Sequence, residues 1–228
     1  MRFLERMSVA IIPVIVIEHA HDAVPLARAL AAGGLTTLEV TLRTPAALEA
    51  IGLIAEQVPQ VQVGAGTVLG PDDVRNAWRA GARFAFAPGL ARETVNAARD
   101  NGLEFIPGVM TPSEITAALA LDCRMLKFFP AGPAGGPPML KAFASPFAAA
   151  RFCPTGGIGV AQLADYLALP NVFAVGGSWM IPPALLEARD WPAIESLAAQ
   201  AVRLARAAPS DTLASPAVSG NPFSGPRR

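Results

Sequence analysis

Short β-branched runs alternate with alanine- and leucine-rich stretches of helical period at intervals of roughly 20 to 25 residues, and this rhythm constrains the fold most. The strand-like runs are VIVI (14–17), LTTLEVTL (35–42), VQVGAGT (61–67), RFAFAPG (83–89), EFIPGV (104–109), RMLKFFP (124–130), RFCPTGG (151–157) and VFAVGGS (172–178). Helical stretches separate them. Residues 22–32 read as a helix with Asp22 as a cap and Gly33-Gly34 as its end, and Thr44-Pro45 opens the next. A last helix, about 192–207, carries Trp191, Ile194, Ala198 and Ala201 on one stripe. Eight βα units predict a closed (β/α)8 TIM barrel over residues 1–207, with an N-terminal helix ahead of the first strand. A doubly wound open sheet is the competing architecture. Residues 208–228 hold four Pro, four Ser and two Gly and read as a flexible tail.

Composition narrows the chemistry. The longest strongly apolar run, Val9 to Ile17, is broken by Pro13 and is far short of the about 20 residues that span a bilayer. Eighteen basic and eighteen acidic side chains cancel, and no basic cluster offers a footprint for nucleic acid. The N-terminal residues lack a signal-peptide core, which predicts a cytoplasmic protein. Two Cys (Cys123, Cys153) and two His (His19, His21) give neither CxxC nor HExxH, so no structural or protease-type metal site is expected. The cysteines read as reduced core residues and the histidines as exposed loop residues. Within the cations, only Lys127 and Lys141 are lysines.

In a barrel, chemistry sits at the C-terminal ends of the strands. In the second strand Thr37, Glu39, Thr41 and Arg43 alternate with Leu38, Val40 and Leu42, so one face is polar and the other apolar. The polar face points a carboxylate and a guanidinium at the lumen; a self-contained Glu39–Arg43 ion pair is the plainer alternative. Lys127 lies among Met125, Leu126, Phe128 and Phe129. Burial of an amine disfavours its charged form and makes it a nucleophile for a carbonyl. The alternative is a lysine whose stem packs while its head reaches water; Lys141, in a helical stretch, keeps that reading. The seventh and eighth strands end in PTGG (154–157) and VGGS (175–178), where backbone N–H groups and the Ser178 hydroxyl suit a phosphate, or where the chain simply turns tightly. GAGT (64–67) ends in Thr67, a candidate ligand for a carboxylate or carbonyl.

Taken in order, LEVTLRT (38–44), VGAGTVL (63–69), FAPGL (86–90), KFFPA (127–131), RFCPTGGI (151–158) and GGSW (176–179) resemble the 2-keto-3-deoxy-6-phosphogluconate (KDPG) aldolases. This class I family overlaps with 4-hydroxy-2-oxoglutarate aldolase, and the resemblance runs from about residue 9 to 206. It implies reversible cleavage of 2-dehydro-3-deoxy-6-phosphogluconate to pyruvate and D-glyceraldehyde 3-phosphate, in the Entner–Doudoroff route. Matched by motif, Lys127 forms the Schiff base and Glu39 is the general acid/base. Arg43 and Thr67 hold the substrate carboxylate and carbonyl, and Pro88 and Thr155 line the pocket. Gly156, Gly157, Gly176, Gly177 and Ser178 bind phosphate. The resemblance further implies a homotrimer without metal or cofactor. Two departures stand out: Ala87 where the family commonly has Ser, and Gly132 where KFFPA is commonly followed by Glu. Other readings are cleavage of a different 2-keto acid, a phosphosugar isomerase or decarboxylase barrel, and a non-catalytic barrel that binds a phosphosugar.

Overall fold

The computed structural model describes residues 7–208. Residues 1–6 of the expected N-terminal helix and 209–228 of the expected tail lie outside the described residues, and residues 7–10 are not helical. The strands are β1 (Ile11–Ile15), β2 (Thr37–Thr41), β3 (Gln62–Gly66), β4 (Phe84–Phe86), β5 (Glu104–Ile106), β6 (Gly108–Val109), β7 (Met125–Phe128), β8 (Arg151–Pro154) and β9 (Val175–Gly177). The intervening helices are α1 (Ala23–Ala32), α2 (Ala47–Gln57), α3 (Pro71–Arg79), α4 (Arg92–Asp100), α5 (Pro112–Ala120), α6 (Gly136–Ala144) and α7 (Leu163–Leu167). After β9 come α8 (Pro183–Glu187) and α9 (Trp191–Ala207). No helix among the described residues is long and apolar enough to cross a membrane.

The α/β alternation is present, but the expected closed eight-stranded barrel is not. The strands form two parallel sheets, one of six in the order β5-β4-β3-β2-β1-β9 and one of three in the order β6-β7-β8. Pro107 divides the fifth predicted run. It has no N–H to give to a ladder, so Glu104–Ile106 pairs with β4 while Gly108–Val109 pairs with β7. The Pro107 carbonyl still accepts from the Lys127 N–H at 2.8 Å. At the other seam β8 does not ladder with β9; contact is limited to isolated bridges, Phe152 with Val172 and Thr155 with Gly176. The first strand also begins earlier than expected, at Ile11, and carries Pro13 within it.

Side chains divide as period 2 demands. Leu38 and Val40 of β2 join the apolar cluster that includes Leu26, Leu30, Ile51 and Ile54 of the helices. A second, smaller cluster gathers Ile12, Phe84, Phe86, Ile106, Cys153 and Phe173. Gly64 makes room for it: a β-carbon there would lie 2.3 Å from the Phe84 ring.

Helix ends follow their residues. Thr111 and Glu114 form a capping box at α5. Asp190 caps α9 through the Ala193 N–H at 3.1 Å. Asp22 precedes α1 without capping it; its carboxylate instead accepts from Arg189 Nε at 2.8 Å, tying the loop after β1 to the end of α8.

Candidate active site

Glu39 sits in the middle of β2, in the six-stranded sheet, and Lys127 in β7, in the three-stranded one. They meet between the sheets. Lys127 Nζ donates to Glu39 Oε1 at 2.9 Å, and the two side chains are 6% and 1% exposed. The pair forms because the alternation of each strand sends one charged side chain inward while Leu38, Val40 and Leu126 point to the helices. The polar face of β2 is otherwise buried too: Thr37 and Thr41 are each 3% exposed, and Thr41 Oγ1 donates to the Ile15 carbonyl at 2.9 Å. Lys127 therefore does not snorkel to water. Its Nζ instead lies 5.4 Å from the ring centroids of both Phe86 and Phe129, whose π faces favour a cation.

The other candidates lie on neighbouring strands or in the turns that follow them. Lys127 is in register with Gly108 on one side and Cys153 on the other. Gly108 lies against Pro88, since a β-carbon on it would be 2.2 Å from the Pro88 carbonyl oxygen. Thr155 follows β8 and is buried; its backbone N–H donates to the Phe128 carbonyl at 3.0 Å and it bridges to Gly176. Thr67 follows β3 with a φ of 57°, a left-handed conformation that a β-branched residue adopts only under strain. Arg43 sits in the turn after β2, exposed. It makes no ion pair with Glu39, so the self-contained pair weighed from the sequence is not formed.

The two glycine turns come together through the Thr155–Gly176 bridge. Gly156 and Gly157 have φ of 96° and 73°, left-handed conformations that suit glycine. Ser178 is exposed beyond Gly177, and Trp179 packs over Gly177 so closely that a β-carbon there would be 1.7 Å from the indole. The loop after β7 lies against the first turn: the Ala131 and Gly132 N–H groups donate to the Thr155 and Gly156 carbonyls at 2.8 and 2.9 Å. Gly132, the departure noted above, is thus seated within 3.1 Å of the Gly157 carbonyl if given a β-carbon.

Two contributors escape sequence reasoning. Phe86 faces the amine across from Phe129, which belongs to the lysine's own segment, and Cys153 is buried beside it. Burial pushes the Cys153 thiol up to about 12; the Glu39 carboxylate adds to this, while Lys127, the Thr155 hydroxyl and the Gly176 backbone oppose it. Only parallel strand register identifies these neighbours, and register is not written in a single segment. A separate cleft of about 210 Å³ opens at the ends of β3 and β4, lined by Val68, Leu69, Pro88, Leu90 and Thr94. It shares Pro88 with the site but neither charged residue.

A family model described as KDPG and KHG aldolase matches residues 5–197. The chain is 48% identical over 192 residues to the 2-dehydro-3-deoxy-phosphogluconate aldolase of Pseudomonas aeruginosa, covering 84% of this chain and 87% of that one. The solved KDPG aldolase of Legionella pneumophila, with pyruvate captured at low pH as a covalent carbinolamine intermediate, superposes with a TM-score of 0.84 at 45% identity. That match covers 86% of this chain and 96% of the other. The 2-keto-3-deoxy-6-phosphogluconate aldolase of Zymomonas mobilis, solved with 3-phosphoglycerate, gives a TM-score of 0.85 at 42% identity over 93% of this chain and 99% of that one.

Proposed function

The chain belongs to the KDPG and KHG aldolase family, and we propose from that premise that Lys127 is its imine-forming amine and Glu39 its proton carrier. The enzyme is an aldehyde-lyase that reversibly cleaves 2-dehydro-3-deoxy-6-phosphogluconate to pyruvate and D-glyceraldehyde 3-phosphate. The observation that carries the residue assignment is the buried 2.9 Å contact between Lys127 Nζ and Glu39 Oε1.

Glu39 takes a proton from Lys127, and the freed lone pair adds to the C2 ketone of the substrate to give a carbinolamine. Loss of water leaves a protonated imine, with Phe86 and Phe129 facing its positive charge. The imine draws electrons from the C3–C4 bond as Glu39, directly or through a water, removes the C4 hydroxyl proton. D-glyceraldehyde 3-phosphate departs. Glu39 returns a proton to C3 of the enamine, and hydrolysis releases pyruvate and the amine. Arg43 and Thr67 hold the carboxylate and carbonyl, and Pro88 and Thr155 wall the pocket. A bidentate guanidinium contact fixes C2 against the amine, an orientation effect. The turns at Gly156-Gly157 and Gly176-Gly177, with Ser178, receive the phosphate.

Phosphate is also what separates this substrate from 4-hydroxy-2-oxoglutarate, which shares its pyruvate half. Kinetics on both, and on the galactonate isomer of the first, test the assignment: kcat/KM is highest for the phosphorylated gluconate-type substrate. A higher value for either of the others reassigns it. Assembly as a homotrimer in the cytoplasm belongs to the same reading, and light scattering in solution tests the assembly.

A further inference from the structure

Gly66 ends β3 beside Thr41 in register, and it is buried. A β-carbon built on it would lie 2.2 Å from Glu39 Oε1, 2.7 Å from its Cγ and 2.8 Å from its Cδ. The oxygen obstructed is the one that accepts the Lys127 hydrogen bond. Glu39 itself is 1% exposed, with Thr37 and Thr41 buried on the same face of β2, so the carboxyl has little room to withdraw from an added methyl. Gly66 has no left-handed φ, so alanine fits its backbone; what the glycine supplies here is space.

We infer that Gly66 is a positioning residue for the lyase reaction: the bare Cα forms the seat on which the Glu39 carboxyl rests while it reaches Lys127. This rests on the assignment of Glu39 as proton carrier. Neighbouring Gly64 provides room in the same way, but for the Phe84 ring, and so serves packing alone. The two glycines stand two apart on one strand face, and at those two positions side chains from neighbouring strands take the space that β3 leaves.

A double-mutant cycle distinguishes this role from a structural one. Gly66→Ala, Glu39→Gln and the double variant are compared for kcat and KM with the phosphorylated substrate, and for imine trapping by borohydride and pyruvate. A misplaced acid/base costs about 100-fold or more in kcat, the scale of its contribution. Gly66→Ala is therefore expected to lose about that much in kcat, with a far smaller change in KM. On the Glu39→Gln background the same substitution is expected to cost no more than about threefold, because the group it displaces no longer transfers protons. Equal losses on both backgrounds overturn the inference, as does full kcat in Gly66→Ala. Full activity in Glu39→Gln instead overturns the assignment of Glu39 on which it rests. Should Gly66→Ala fail to fold, the substitution is repeated on Glu39→Ala/Lys127→Met, which leaves no orphaned buried charge: soluble protein there identifies the Glu39 side chain as the obstruction, and failure where the Glu39→Ala/Lys127→Met parent folds overturns the inference.

Discussion

Replacing Lys127 with methionine asks how well Glu39 is sealed from water. Methionine preserves most of the apolar stem, so the change removes a charge more than volume. The structure sets the magnitude. With Nζ and Oε1 2.9 Å apart and an effective dielectric near 20, their attraction is about 6 kcal/mol. Desolvation of both ions offsets much of that gross figure in the intact pair. Removing the lysine alone takes away the attraction and leaves the carboxylate its desolvation. Thr37 and Thr41 beside it are buried, and Phe86 and Phe129 flank the vacated position. The expected loss of stability is about 3–5 kcal/mol, typical of a buried pair with one partner deleted. Glu39→Leu/Lys127→Met, which removes both charges, is expected to recover most of that loss while remaining without lyase activity. Equilibrium urea unfolding near neutral pH, followed by circular dichroism and tryptophan fluorescence, measures both differences. The reasoning fails if Lys127→Met unfolds within about 1 kcal/mol of the parent, or if the double variant is no more stable than the single one. Either result means that water reaches Glu39.

Other expectations come from the rim of the site and from its titrating neighbours. Gly177→Ala drives a methyl into Trp179 and distorts the second phosphate turn; KM for the phosphorylated substrate rises by roughly tenfold or more, about 1.4 kcal/mol, while turnover of unphosphorylated 4-hydroxy-2-oxoglutarate changes little. Thr67→Gly relieves a left-handed β-branched residue worth about 1–2 kcal/mol, against about 0.5–1 kcal/mol of added chain entropy. Thermal unfolding therefore shifts slightly upward, and kcat/KM falls with loss of the hydroxyl. The Cys153 thiol, raised from 9.0 to about 12 by burial, keeps its proton in the fold and loses it in the unfolded chain. Its protonation thus supports the fold below pH 9, and that support is lost as pH rises from 9 toward 12. Cys153→Ala is expected to flatten the alkaline fall of the unfolding midpoint, and an unchanged slope contradicts the assignment. Asp22→Ala cuts the tie to Arg189, whose side chain is 53% exposed, and is expected to cost about 1 kcal/mol of stability or less with kcat preserved.

That Glu39 and Lys127 face inward was legible because strand alternation is a local rule. Alternation in TLEVT identified the inward carboxylate, and an isolated lysine among Met125, Leu126 and Phe128 identified the amine. What joins them is not local. The residues stand 88 positions apart and occupy different sheets, so neither segment contains the 2.9 Å contact. One of the two seams between the sheets turned on one residue: Pro107 is visible within EFIPGV, but its withheld N–H changes which neighbour each half of the run can pair with. The onset of β1 was misplaced for a related reason. Pro13 looked like a boundary, yet it sits within the strand, aligned with Gly177. Asp22 looked like a helix cap, and a more distant guanidinium holds it instead. The two glycine turns lie side by side because Thr155 and Gly176 form an isolated bridge across a seam that has no continuous ladder.

The central claim is that Lys127 carries the imine, and borohydride trapping tests it most directly. The protein is incubated with pyruvate, reduced with sodium borohydride, digested and mapped by mass spectrometry. The expected result is one reduced pyruvyl adduct, on Lys127 and not on Lys141, with loss of lyase activity in proportion to labelling. An unmodified Lys127 in protein that is turning over substrate contradicts the account.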